Sequence, residues 1–297
     1  MDELRGWMER PGVRERLHPI AELHVVLLEM LKVIDKVCAD HGLRYYLLYG
    51  TLIGAMRHNG FIPWNDDADI VMPRKDYDRL MRLPKEAWPD GYFLQSPYSE
   101  ATSRFAYCKL RKNGTTCIAA EHMHIKMHQG VFVDIFPLEE VRGNGFWLWN
   151  VQRFLERLTA FSCARLPKRM RVLRPLQWLW MLLFKPSFFS RIANACARFL
   201  AGRGDTYLSP LTPFSPGLMA AGRKGWPKTM FDPVCRHCFC GIELNIPHEA
   251  DKLLTNLYGN WRAIPDEDRR LPIHSNNGIL DLNRDYSFYI EKGKWRD

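Results

Sequence analysis

Over residues 18–41 apolar side chains return every three or four positions, at Ile20, Leu23, Leu27, Met30, Leu31, Ile34, Val37 and Cys38. That spacing predicts an amphipathic helix, and Gly42 is placed to stop it. Leu43–Tyr49, apolar except for Arg44, reads as a strand. Gly50 and Thr51 then open a short predicted helix, Leu52–Arg57, which ends before Asn59-Gly60. Beyond Pro63 and Trp64 the pattern changes to alternation: Asp67 and Asp69 interleave with Ala68 and Ile70, and the strand runs on through Val71 and Met72. A helix over Arg74–Leu83 follows, with Tyr77, Leu80 and Met81 facing inward. Further strands are predicted at Phe93–Gln95, Phe105–Arg111, Thr115–Ala119 and Val131–Ile135, the second and third joined by a Lys112-Asn113-Gly114 turn.

The character changes over residues 144–201. Trp147, Trp149, Phe154, Leu155, Leu158 and Phe161 recur at helical spacing, and a basic run follows at Arg165, Lys168, Arg169, Arg171 and Arg174. Basic, aromatic helices suit packing on a sheet, and they also suit contact with an anionic membrane or another polyanion. Residues 204–233 are rich in Gly and Pro and read as irregular. Cys238–Ile246 is predicted as a strand, and Pro247–Tyr258 as a helix with Pro in its first turn and Gly259 after its end. The expected organisation is a catalytic core over 1–143, an inserted helical subdomain over 144–204, and a C-terminal part, 205–297, that completes the core.

Length and composition narrow the classes. The 297 residues, 46% hydrophobic and 12% aromatic, allow a large buried core and argue against extended disorder. The net charge of +9 fits partners bearing phosphate, anionic lipid or nucleic acid. No RRM-like, RGG-like or zinc-finger pattern is present, so nucleic acid is not expected as a partner. Five of the eight cysteines are scattered among apolar neighbours, as in a reducing compartment. Cys235, Cys238 and Cys240 with His237 resemble half of a zinc site, with no second pair at ligand spacing. The charged first residues contain no apolar signal segment, and the longest apolar stretch, Leu176–Phe184, is far short of the ~20 residues that span a bilayer. A cytoplasmic protein is expected, with a peripheral place on the inner face of the membrane as its alternative.

The candidate chemistry lies in two acidic segments. Alternation puts Asp67 and Asp69 on one face of a strand, and Asp66 directly precedes them. A lone DxD is as a rule a solvated turn, but here the strand continues into apolar residues. The second segment, GVFVDIFPLEE at 130–140, sets Asp134 among Val131, Phe132, Val133, Ile135 and Phe136. An acid so surrounded is either unfavourably buried or bound to something. If the two strands lie side by side, Asp67, Asp69 and Asp134 form a carboxylate cluster for Mg²⁺ or Mn²⁺, the cations that favour oxygen ligands. The Gly50-Thr51 turn at a helix start presents free N–H groups suited to phosphate.

Four separated stretches together carry a resemblance: YGTLIGAMRHNGFIPWNDDADIVMPRKDYDRL (49–80), YCKLRKNGTT (107–116), GVFVDIFPLEE (130–140), and IPHEADKLLTNLYGNW with PIH (246–261 and 272–274). They are similar to the LicD family, best known for bacterial phosphocholine transferases and more distantly including the fukutin-related proteins. The resemblance implies an α+β fold, a nucleotidyltransferase-like mixed sheet flanked by helices. It also implies transfer of a phospho-alcohol, chiefly phosphocholine from CDP-choline, to a hydroxyl of a surface glycan such as lipopolysaccharide or teichoic acid. Asp67, Asp69 and Asp134 stand at the family's acidic positions. Asp134 or Asp66 would take the acceptor proton. Arg57, His58, Arg74, Lys109 and Arg111, with His274 beyond the C-terminal helix, are the candidate contacts for the diphosphate, beside Gly50 and Thr51. Asn65 and Glu139 stand where many relatives have Asp. Choline would call for an aromatic cage, for which Tyr45, Tyr46, Tyr49, Trp64, Tyr107 and Trp261 are available. The competing expectations are another phospho-alcohol (ribitol, glycerol or ethanolamine phosphate), nucleotidyl transfer to a small molecule, and a non-catalytic binder of polyanions.

Overall fold

The computed structural model describes residues 6–141, 146–163, 172–173, 175, 179–180, 183–201, 204–208, 225–275 and 278–291. The predicted first helix is longer than its apolar spacing suggested: α1 spans Pro11–Asp40, opened by Pro11 in its first turn. Its added turns are held by a small cluster in which Trp7 and Val13 meet Ile62 and Trp64. Further on, Leu23, Leu27, Met30, Leu31 and Ile34 are buried at the predicted spacing.

The fold is α+β, a mixed sheet flanked by helices. The central strands are β1 (Tyr46–Leu47), β2 (Asp69–Pro73), β3 (Tyr92–Gln95), β4 (Cys108–Lys112) and β6 (Phe132–Val141), in the order β1-β2-β6-β4-β3. β2 and β6 are parallel; every other neighbouring pair among these five is antiparallel. Only Tyr46–Leu47 of the predicted first strand joins the sheet, because Tyr49 turns the chain into helix α2 (Tyr49–His58) with φ of 51°. Such a φ is uncommon for a bulky residue. Helix α3 (Arg74–Leu80) follows β2 directly. It packs Tyr77 and Leu80 into the main core.

Two predicted pairings differ. Thr116–Ile118 (β5) does not turn back onto β4, since both edges of β4 are taken by β3 and β6; it pairs instead with β11 (Ile279–Asp281). The predicted strand over Cys238–Ile246 is a hairpin, β9 (Cys235–Phe239) and β10 (Ile242–Ile246). Its two-residue turn is Cys240-Gly241, both at positive φ, as a primed hairpin turn requires. Alternation along β9 sends Cys235 and Cys238 to opposite faces.

Residues of the helical insertion form α4 (Phe146–Cys163) and α5 (Pro186–Leu200). They run antiparallel: Leu148 and Trp149 cluster with Ala197, and Gln152 donates to the Ala193 carbonyl. The pair is tied to the sheet by Asn194, which donates to the Ala106 carbonyl. The basic run at Arg165, Lys168, Arg169, Arg171 and Arg174 lies outside the described residues. So does most of the segment expected to be irregular. Its two described ends include β7 (Thr206–Leu208), which pairs antiparallel with the end of β6, and β8 (Trp226–Pro227), which pairs with β7. Helix α6 (Ala250–Tyr258) starts slightly later than predicted and ends at Gly259 as expected. Among the described residues no helix is long and apolar enough to cross a membrane.

Candidate active site

Strand register assembles the site. Asp69 of β2 lies beside Asp134 of β6, and Asp134 lies opposite Lys109 of β4. Period-two alternation turns these three side chains to the same face of the sheet, together with Tyr107, Arg111 and Phe132. The start of β2 is fixed from two sides. The Asp69 N–H donates to the Thr51 hydroxyl at 2.8 Å, and the Asp134 N–H donates to the Ala68 carbonyl at 2.8 Å. Thr51 is thereby committed to holding the acidic strand, and it is Gly50 that lines the cleft.

Asp67 stands one turn of the pleat before Asp69. Its carboxylate accepts from the Asn65 side-chain amide at 2.7 Å and lies 3.0 Å from His274 Nε2. Burial opposes the charged form of Asp67, yet the His274 and Asn65 contacts outweigh it and hold the carboxyl below its usual range. The same pairing raises His274 above the ordinary imidazole value against the effect of burial. Asn65 is positioned in turn: its carbonyl lies 2.7 Å from His24 Nε2, and the His24 ring stacks on Phe61.

Asp66 has a different task from the proton transfer considered for it. Its carboxylate accepts the backbone N–H groups of Ile273, His274 and Ser275. This staple brings the C-terminal loop onto the acidic strand and carries His274 to Asp67. With its oxygens occupied in this way, Asp66 builds the site and does not line the cleft.

Asp69 is the conflicted group. Burial pushes its pKa well above the usual carboxylate range, and the nearby charges of Asp67 and Asp134 push it further. Asp134 is also raised by burial, although Lys109 Nζ, 2.5 Å away, favours its charged form. The Lys109 ammonium sits 3.6 Å from the centre of the Phe132 ring and 4.4 Å from that of Phe105, and burial lowers its pKa. Arg111 is anchored by Gln95 and by the Gly130 carbonyl, each at 2.8 Å. All of this borders a cleft of about 590 Å³, whose wall also includes Tyr49, Tyr107, Tyr258 and His122.

Of the predicted site residues, the structure brings together Gly50, Asp67, Asp69, Lys109, Arg111, Asp134 and His274 around one cleft. It does not bring Arg57, His58 or Arg74 there. The Arg57 guanidinium donates to the Trp261 and Ala263 carbonyls and to His58. Burial and Arg57 lower His58 to about 4. Arg74 is buried in a bidentate pair with Glu139, with Asn194 and Asp78 as further partners. Of the aromatics offered for a cage, Tyr49 and Tyr107 line the cleft, whereas Tyr45, Tyr46, Trp64 and Trp261 are buried outside its wall. Asn65, Phe105, His122, Phe132 and Tyr258 also line the cleft; of these, Phe105 and His122 lie outside the four stretches that carry the resemblance.

Among the described residues no three His, Cys, Asp or Glu side chains already stand as a metal cage. This includes Cys235, Cys238, Cys240 and His237. The donor set of the cleft nevertheless suits a hard divalent cation. Asp67, Asp69 and Asp134 are oxygen donors; burial first, and their mutual repulsion next, raise the pKa of Asp69, and Lys109 supplies only one compensating charge.

Residues 42–179 match the family described as LicD/FKTN/FKRP, nucleotidyltransferase domain. Lipopolysaccharide cholinephosphotransferase LicD of Haemophilus influenzae is 25% identical over 274 residues, which cover 86% of this chain and 96% of that protein. An uncharacterized protein of Rickettsia prowazekii is 27% identical over 109 residues, 37% of each chain. One of Rickettsia typhi is 36% identical over 69 residues, 23% of this chain and 22% of its own. The matched segment, just under half of the chain, contains the acidic strand, Lys109, Arg111 and Asp134, and the Haemophilus likeness extends over most of the chain: the protein is similar to the LicD family.

Proposed function

We propose that this protein is a phosphotransferase that moves phosphocholine from a CDP-linked donor to a hydroxyl of a lipopolysaccharide. One observation carries the chemistry: three carboxylates and two buried cations converge on one cleft, where burial, and then its acidic neighbours, hold Asp69 well above its usual pKa. The name of the Haemophilus relative, a lipopolysaccharide cholinephosphotransferase, supports the choice of choline and of the lipopolysaccharide acceptor.

Asp67, Asp69 and Asp134 would hold a divalent cation, Mg²⁺ or Mn²⁺, which when bound supplies charge neutralisation and Lewis acidity to a diphosphate. The chain's own groups do the rest. Lys109 and Arg111 face the phosphate oxygens, and their burial strengthens each contact relative to water. Asn65 and His274 fix the orientation of Asp67. Asp134, raised by burial, accepts the proton of the attacking hydroxyl. The acceptor oxygen forms a bond to the phosphorus bearing choline as the bridging P–O bond breaks, and CMP leaves with that electron pair.

The test is CMP release from CDP-choline, CDP-ethanolamine, CDP-glycerol and CDP-ribitol, with lipopolysaccharide as acceptor and with or without EDTA. CDP-choline is expected to react fastest and EDTA to abolish turnover. Preference for another donor would replace choline. Pyrophosphate release from a nucleoside triphosphate alone would replace the reaction with nucleotidyl transfer.

A further inference from the structure

Among the described residues Lys109 is the only buried lysine. A strongly hydrated ammonium leaves water only where other partners take the water's place. Here two kinds of partner do so. Its Nζ donates to Asp134 Oδ1 at 2.5 Å. Three aromatic rings lie against the same nitrogen, with centres 3.6 Å (Phe132), 4.4 Å (Phe105) and 5.4 Å (Tyr107) away. Each distance lies within cation–π range.

The next cation along the strand is held differently. Arg111 donates to the Gln95 side-chain oxygen and to the Gly130 carbonyl, both neutral acceptors. Lys109 instead donates to a carboxylate of the acidic cluster, and strand register sets Asp134 beside Asp69. An ammonium in that place offsets part of the repulsion among the acids, as a divalent cation would. The two roles conflict at Asp134. A carboxylate oxygen bonded to an ammonium is a poorer donor to a second cation, and two positive charges on one carboxylate repel each other.

We propose that Lys109 is a built-in counter-ion for Asp134 and competes with a divalent cation for that carboxylate. The inference rests on the assignment of Asp67, Asp69 and Asp134 to such a cation in the proposed function. It adds that the site's own lysine lowers the affinity with which the cation is held. The aromatic rings give the ammonium a second set of contacts, so it gives up one hydrogen bond, and not all its surroundings, when Asp134 is taken.

The experiment is titration of the full chain, stripped with EDTA and dialysed, with Mn²⁺ alone, free Mn²⁺ being read by electron paramagnetic resonance. Lys109→Met keeps a flexible side chain among the rings and removes the charge; it should bind Mn²⁺ about tenfold or more tightly than wild type. Lys112→Met, which removes a charge paired with Glu29 at the end of β4, should bind as wild type. Asp134→Asn should bind more weakly, and adding Lys109→Met to it should change the affinity by less than about threefold, because the contested carboxylate is gone. Circular dichroism checks the fold; if Lys109→Met does not fold, Lys109→Gln decides, since it keeps an N–H donor for Asp134 without the charge. Equal or weaker Mn²⁺ binding by the folded lysine variant overturns the proposal and leaves the cation assignment standing. So does an undiminished gain in the Asp134→Asn background, which would make Lys109 a general repulsive charge. Absence of saturable Mn²⁺ binding by wild type and the lysine variant alike overturns the cation assignment and this inference with it.

Discussion

In the cleft, four ionisable side chains, Asp69, Asp134, Lys109 and Arg111, are withdrawn from water, while on α4 and α5 the aromatic rings of Trp147, Phe154 and Phe199 stand in it. Each arrangement is unfavourable for an isolated domain. Buried charges are tolerated only when paired, and their pairing here is incomplete because Asp69 has acidic neighbours on both sides. Exposed rings are tolerated because a few scattered apolar contacts with solvent are inexpensive. The contrast teaches that the cleft concentrates buried charge whose pairing is incomplete, whereas the face of α4 and α5 concentrates exposed apolar rings.

The comparison breaks most readily at its charged end. Asp69→Asn and Asp134→Asn should each lower turnover by about a thousandfold or more, with the fold intact, if these carboxylates act on the donor. Steady-state rates alongside circular dichroism check this; a variant with wild-type turnover would leave its residue a structural acid. Next in size is the junction between the two regions, the buried Arg74–Glu139 pair with Asn194 of α5 beside it. Glu139→Ala leaves Arg74 buried without its main counter-charge and should cost about 3–5 kcal/mol of stability, read by urea unfolding. Turnover of the fraction that remains folded should stay close to wild type, because neither residue borders the cleft.

The smallest expected effect depends on pH. His128 Nδ1 accepts the Gly130 N–H at 3.1 Å, at the entry to β6, and its Nε2 lies 3.0 Å from Asn113. Burial, with Arg111 nearby, lowers its pKa to about 4. The neutral ring is the one the fold accommodates, so its contribution is complete above the unfolded value of 6.5 and is lost as pH falls toward 4. His128 should account for about 2–3 kcal/mol of what wild type loses over that window, so His128→Gln should lose less by about that amount. An identical slope in the variant would mean that other groups govern acid sensitivity.

The sheet strands that carry the acids were legible because alternation and apolar surroundings are local signals, and they placed Asp67, Asp69 and Asp134 before any pairing was known. The partner of β5 was not legible, since both the turn after β4 and the distant β11 offer it a ladder and only the closed edges of β4 decide. The cations divided for a similar reason. Lys109 and Arg111 sit on a strand whose alternation aims them, whereas Arg57 and Arg74 sit on helices, where long side chains reached the Trp261 and Ala263 carbonyls and Glu139. Asp66 was recognised as a member of the acidic cluster, but its staple to Ile273, His274 and Ser275 joins positions some two hundred residues apart, beyond any pattern in the intervening sequence.

That staple also sets when the enzyme can exist during its own synthesis. The acidic strand, β4 and β6 leave the ribosome first and can pair with one another, but the histidine that orients Asp67 is made well after them. A chain cut short before His274 would therefore hold these paired strands without the group that orients Asp67.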